Sequence, residues 1–404
     1  MTAPTRDTVA DDGPSAQGRQ MLPLAGLMTL ATAAFVTLLT EILPAGLLSA
    51  IAASLDISES LAGQFITSYA FGTLASAIPV TVLTQGVRRR RLLLVAIGGF
   101  AIVNLVTATS GNYAVSIVAR FFAGIFGGIV WSLLVGYSVR MSPPHLAGRA
   151  IAISGAGGTM ALVFGAPIGS FLGRLIGWQT TFALISVLCL ALILLLIAVV
   201  PDFPGYTKQH RQSLTASFSA AGIRPVLFVV FSFIAAHNIL YIYVEPLLQP
   251  AGMSAKLGFV LFIFGLGSIA GIWIVGALIE RHLQFLAVAS VATFGCTVML
   301  MSLWGNIEAI VYSLVVAWGI AVGGFSTITQ TALARFAGDS IDVAQSIYTT
   351  GWNVAIAVGG GLGGLLLQHG GTGSFSWVVL TLLVASFACV IFGMNRVLSL
   401  PSRS

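Results

Sequence analysis

The chain has 404 residues, of which 57% are hydrophobic and only 7% charged, with a mean hydropathy of +1.00. A water-soluble globule of this length does not have that composition, whereas a polytopic membrane protein does. The formal charge of +6 comes from basic residues dispersed over loops, with no folded polar domain to present them, so nucleic acid is excluded as a partner. The cysteines Cys189, Cys296 and Cys389 sit within apolar runs and read as packing residues. HExxH, GxSxG and a paired-aspartate motif are missing, so neither an enzyme nor a metal or other cofactor is expected.

Residues 1–21 are polar, mixed in charge and rich in small side chains, and are predicted to form a disordered tail. The apolar run from Leu22 is too long for a signal-peptide core and has no clear cleavage site, which makes it the first uncleaved span. A crossing needs roughly 20 apolar residues. Helices are therefore predicted over about 22–52, 61–86, 91–110, 113–139, 149–173, 178–200, 225–248, 255–279, 283–304, 307–334, 343–368 and 374–398. Residues 201–224, with Pro, Gly, Ser, Gln and most of the mid-chain positive charge, read as a linker between two six-helix bundles, 22–200 and 225–398. Residues 399–404 form a short tail. The fold expected is an all-α membrane protein with twelve transmembrane helices in two pseudo-symmetric six-helix bundles, surrounded by the lipid bilayer.

Fifteen of the 18 Lys and Arg residues fall on one side of this arrangement, among them Arg88 to Arg91, Arg140, Arg149, Arg281 and Arg335. The positive-inside rule then places both termini and the linker in the cytoplasm, with the chain in the cell (inner or plasma) membrane. Short patterns recur about 195 residues apart and support duplication. Gly124 to Gly128 in the fourth helix matches Gly319 to Gly324 in the tenth, Phe71-Gly72 matches Phe264-Gly265, and Gly155 and Gly165 match Gly351 and Gly361. Glycines four apart, as at Gly165/Gly169/Gly173, align small residues on one face for close backbone approach, either as static packing or as a sliding seam between moving halves.

Three formal charges, Glu41, Arg120 and Glu245, lie clearly inside apolar runs. A charge at bilayer depth costs about 2.5–3.5 kcal/mol on insertion scales, so residues kept there usually serve a pathway or a proton relay. Glu41 in the first helix and Arg120 in the fourth lie at matching depths and are expected to meet and neutralise each other, as a proton or substrate site rather than a merely structural pair. Pro44 follows Glu41 closely, where it frees a backbone carbonyl and favours a kink beside the carboxylate. The seventh helix carries the densest polar cluster, His237, Asn238, Tyr241, Tyr243 and Glu245. His237, Tyr241 and Glu245 follow one another at four-residue steps, which puts them on one helix face and suggests one cavity wall. Asn104, Trp131, Gln330, Trp352 and Asn353 are lesser polar candidates, each more readily explained by packing or interhelical hydrogen bonding.

These segments resemble the major facilitator superfamily over nearly all of residues 22–398, specifically its drug:proton antiporter branch, which contains bacterial sugar-efflux and purine-nucleoside-efflux transporters. The stretch from Thr40 through Glu41, Pro44 and Leu48 looks like the branch's first-helix motif, and Ala119-Arg120 to Gly124 looks like the fourth-helix motif whose arginine is implicated in proton coupling. Gly155 through Gly165, Pro167 and Gly169 is similar to the antiporter motif of the fifth helix, and Gly177-Trp178 with Phe182 matches the usual start of the sixth, with Gln179 where arginine is common. Ala236-His237 through Tyr241 to Glu245-Pro246 looks closest to the sugar-efflux transporters. The chain departs from the pattern after the second helix: Thr84-Gln85-Gly86-Val87 precedes four arginines where the family carries aspartate and glycine, and Glu280-Arg281 is the acidic counterpart at hand.

The resemblance implies a proton-coupled exporter of small solutes, sugars or sugar-like compounds first and nucleosides or hydrophobic drugs second, working as a monomer by alternating access. An uncoupled facilitator is the alternative within transport. Glu41 and Arg120 would carry proton coupling. His237, Asn238, Tyr241, Glu245, Trp131, Gln330 and Asn353 would line the substrate cavity, and Pro44, Gly155, Gly165, Pro167 and Gly169 would serve gating and packing.

Overall fold

The computed structural model describes residues 21–207 and 213–394. The tail expected over 1–21 lies, apart from Met21, outside the described residues, as do part of the linker, 208–212, and residues 395–404. Among the described residues, ten continuous helical stretches are long and apolar enough to cross a membrane. Two of them are double length. Leu257–Trp304 bends at His282, whose φ of −128° and ψ of 29° leave the helical region, and the stretch Glu308–Gly370 is interrupted by a turn at Gly338–Ser340. Divided there, the ten stretches make twelve crossings.

In the first half, α1 (Leu24–Ile42) passes through a 3-10 segment, Leu43–Leu47, into α2 (Leu48–Leu55). Pro44 cannot donate the hydrogen bond that would continue α1, and Asp56 ends α2 in a left-handed conformation at φ 51°. The second crossing is α3 (Glu59–Leu83), begun by the Ser58 hydroxyl accepting from the Leu61 amide. α4 (Arg89–Thr109) and α5 (Tyr113–Met141) follow, the latter capped by the Asn112 side chain. The fifth crossing is α6 (Ala147–Met160) and α7 (Ala166–Ile176) joined by a π-helical turn, Ala161–Gly165, and the sixth is α8 (Trp178–Val199).

The short α9 (Leu214–Ser219) precedes the second half. There α10 (Ile223–Tyr241) breaks before α11 (Val244–Leu248), and α12 (Leu257–Trp304) supplies the eighth and ninth crossings. α13 (Glu308–Gly323) with α14 (Phe325–Ala337) makes the tenth, α15 (Ile341–Gly370) the eleventh and α16 (Gly373–Ala388) the twelfth.

Two hydrophobic cores form among the described residues. One draws its buried side chains from Leu30 to Val200; the other draws them from Ile223 to Val390, with Val135 and Ile151 joining from the first half. Without a hydrophobic force between helices in lipid, close backbone packing has to hold them together, and the glycines provide it. Gly72 sits against the Phe121 carbonyl and Gly124 against that of Tyr69; in the second half Gly267 sits against the Val316 carbonyl and Gly319 against that of Phe264. The equivalent residues Gly72 and Gly267, Gly124 and Gly319, Tyr69 and Phe264 share one offset of 195 residues. The packing therefore corrects one repeat match: Gly72 corresponds to Gly267, two positions beyond the Phe264-Gly265 dipeptide.

The bundles meet chiefly through α3, α5 and α6 on one side and α12, α14 and α15 on the other. Gly136 lies against Asp342 and Ile341, Gly148 against Ile279, and Ala152 against Gly276, so the seam is tight at the arginine-rich end. At the opposite end the main contacts of α2, α7 and α11 stay within their own half.

Candidate transport pathway

Arg120 is wholly buried in the first bundle. Its Nη2 donates to the Thr40 carbonyl at 2.6 Å and, more distantly, to that of Glu41 at 3.5 Å, while Nε donates to the Phe65 carbonyl at 3.3 Å. The Thr40 carbonyl is the acceptor that the N–H of residue 44 would take in a regular helix; proline has none, so the oxygen is left for the arginine. The Tyr69 and Phe182 rings lie 5.1 and 5.7 Å from the guanidinium carbon. Asn104, also fully buried, donates to the Thr40 hydroxyl at 3.3 Å. The structure thus brings Glu41 and Arg120 together through the backbone: no ion pair between them falls within 4.0 Å among the described residues. Arg120 Nη1 has no partner, and Glu41 is half-buried beside it.

In the second bundle His237 enters an aromatic cluster. Its ring lies 5.0 Å from Tyr241, 5.9 Å from Phe264 in a stacked arrangement and 5.5 Å from Trp318. Phe294 stacks on Trp318, and both His237 Nδ1 and Trp318 Nε1 are buried without hydrogen-bond partners. Because α10 ends at Tyr241, the four-residue step to Glu245 is broken: Glu245 lies on α11 and is exposed. Asn238 is buried and bonds its own helix at the Ile234 carbonyl, on the side that faces Gly359 of α15.

The remaining candidates lie apart from these two clusters. Trp131 reaches over Gly158, the Tyr348 hydroxyl next to Gln330 bonds the Thr329 hydroxyl at 2.9 Å with its ring beside Trp352, and Asn353 donates to the Thr349 carbonyl of its own helix. Gly165 and Gly169 pack on Leu39 and Leu43, and Pro167 sits in the first turn of α7 just beyond the π-helical turn. Around Gly155 there is open space where a side chain would go.

A further charged centre, at the arginine-rich end, was not singled out in the sequence. Asp342 at the start of α15 is completely buried; Arg140 holds it with two hydrogen bonds of 3.1 and 3.0 Å, and Arg89, almost completely buried, pairs with it at 3.1 Å. Two guanidiniums of the first bundle thus share one carboxylate of the second. Glu280 is not the counterpart of the arginine run: it accepts from the Arg149 amide at 2.8 Å, while Arg88 and the Arg90 amide take Asp202 and Arg89 takes Asp342. The hydrogen bond from Arg88 holds the Asp202 carboxyl below its usual range, and burial raises the Tyr206 phenol beside the centre. The available signal was an acid in the first turn of a helix, opposite a basic loop that has no acid of its own.

With this geometry, comparison with known proteins is informative. The model of the family described as Major Facilitator Superfamily matches residues 30–340. The probable sugar efflux transporter of Mannheimia succiniciproducens is 32% identical over 361 residues, 87% of this chain and 89% of the relative. A probable sugar efflux transporter of Helicobacter pylori is 27% identical over 365 residues, 90% and 93% of the two chains. Among solved structures, the human organic anion transporter MFSD10 superposes with a TM-score of 0.70 at 16% identity, covering 91% of this chain and 98% of its own. The proton:xylose symporter XylE does so with a TM-score of 0.69 at 15% identity, covering 93% and 98%. The two solved structures establish likeness of fold, and the family model covers the first bundle from residue 30 and the second through its tenth crossing, to residue 340. The chain belongs to the major facilitator superfamily.

Proposed function

We propose that this protein is a proton-coupled secondary exporter of sugars or sugar-like compounds that works by alternating access. The observation that carries the reading is the buried Arg120, bound to the carbonyl that Pro44 frees and next to the half-buried Glu41, inside a bundle whose partner seals against it at the arginine-rich face. A carboxylate that shares a dry site with an arginine exchanges its proton when their separation changes, and rocking of the bundles 22–200 and 225–398 would supply that change. Glu41 carries the coupling proton. The two relatives named as probable sugar efflux transporters supply the substrate class. The arginine-rich face is cytoplasmic, so the conformation described is the one closed to the cytoplasm.

In this reading His237, Tyr241 and the aromatic rings around them present the second bundle's wall to the substrate. Aromatic faces match the apolar face of a sugar ring, while the unpaired His237 nitrogen offers a polar contact for a hydroxyl. The test is transport into inverted vesicles holding the purified protein, with sugars, nucleosides and cationic drugs compared under an imposed pH gradient. Uphill, gradient-dependent sugar accumulation is the expected result. Accumulation of nucleosides or drugs alone would move the substrate class, and equilibration without concentration would make the protein a facilitator.

A further inference from the structure

We propose that residues 202–206, in the segment joining the bundles, are a working part of the gate at the arginine-rich face, with Tyr206 holding the two guanidiniums onto Asp342. The inference rests on the alternating-access reading but not on the substrate or on proton coupling.

The segment is fastened to the first bundle at every step. The Tyr137 hydroxyl donates to the Pro201 carbonyl at 2.7 Å, and its ring meets Phe203 edge-on at 5.3 Å. Asp202 binds Arg88 and the Arg90 amide. The Arg89 amide donates to the Phe203 carbonyl at 2.9 Å and the Tyr206 amide to the Gln85 carbonyl at 2.8 Å, so the segment runs alongside the Gln85–Arg89 turn as a short paired strap. The two backbones come so close that a side chain at Gly205 would collide with Gly86.

This fixed strap carries Tyr206 to the seam. The Arg89 guanidinium lies 5.0 Å from the centre of its ring and that of Arg140 5.8 Å away, a cation–π arrangement with both. Its hydroxyl accepts from Arg140 Nη2 at 2.9 Å and donates across the seam to the Asp339 carbonyl in the turn before α15. Two positive groups crowded on one carboxylate repel each other. The Tyr206 ring and oxygen offset that repulsion, and the hydroxyl adds a bond to the second bundle. When the bundles part, the strap stays with the first and the Asp339 contact breaks. The segment that a sequence reading treats as a tether therefore adds strength to the closed state.

The experiment is a distance measurement between spin labels at His145→Cys and His282→Cys, exposed positions on the two bundles at this face, in a full-length background with the native cysteines replaced. The unaltered gate should give one short distance. Tyr206→Phe, which keeps the ring and loses the hydroxyl, should raise the population of a longer distance several-fold, and Tyr206→Ala should raise it further. Asp342→Asn, which removes the carboxylate itself, serves as the reference for an opened gate. Melting temperature measured on each variant separates loss of fold from opening, and Tyr206→Phe keeps the test valid if Tyr206→Ala does not fold. Distances unchanged in both Tyr206 variants overturn the proposal, whether or not Asp342→Asn opens the gate. The readout needs neither substrate nor a pH gradient, so its failure is distinct from failure of the export reading.

Discussion

Arg120 donates to the backbone carbonyl of Thr40 at 2.6 Å, the acceptor left vacant because Pro44, four residues on, has no N–H. Pro44→Ala should restore the regular helix and take that carbonyl back. The variant is expected to be more heat-stable, since proline removes the backbone donor that would join α1 to α2 as one helix. It should also transport more slowly: a hydrogen bond to a charged group is worth about 1.5–3 kcal/mol, or about a ten- to hundredfold change in rate. Melting curves and vesicle transport on the same preparation check both halves; unchanged transport would show that the anchor is dispensable.

Glu41→Gln mimics the protonated carboxyl. Substrate binding is expected to persist while gradient-driven accumulation and substrate-induced proton release both disappear. Should both survive, the proton travels elsewhere.

Arg120→Ala leaves the Phe65 and Thr40 carbonyls without their donor, at about 1–3 kcal/mol for each unsatisfied buried group. Transport should collapse and the melting temperature fall moderately, with a folded protein remaining by size exclusion. Normal pumping by this variant would remove Arg120 from the mechanism.

His237→Phe keeps the stacking on Phe264 and the edge contact with Trp318 and deletes an unpaired buried nitrogen, so stability should hold or rise slightly. Sugar affinity should drop about tenfold, the loss of one hydrogen bond of about 1.4 kcal/mol. Equal affinity in the variant and the parent would make His237 a core residue only.

Two glycines of α6, two positions apart, should respond in opposite ways. The Ala31 carbonyl fills the space where a side chain at Gly157 would go, and Gly157→Ala should destabilise by about 1–3 kcal/mol. Gly155 faces open space, so Gly155→Ala should be neutral or stabilise by up to about 1 kcal/mol through helix propensity. Thermal melts of the two variants decide it.

The amino-acid sequence alone determined the crossing count, the duplication and the polar residues of the first bundle, because membrane burial writes itself in long apolar runs and makes every intramembrane charge conspicuous. The Arg120 environment was partly legible: depth matching brought Glu41 and Arg120 together, and proline chemistry marked a freed carbonyl. That the arginine takes that carbonyl instead of the carboxylate is a matter of ångströms, which spacing along a helix does not encode. The seventh crossing shows the same limit, since the four-residue step from Tyr241 to Glu245 holds only while the helix continues, and it ends at Tyr241. Tertiary structure alone decided the Asp342 centre. Asp342 is unremarkable at the margin of an apolar run; it becomes a buried partner of Arg89 and Arg140, residues more than 200 positions away, only when the two bundles close and exclude water from between them.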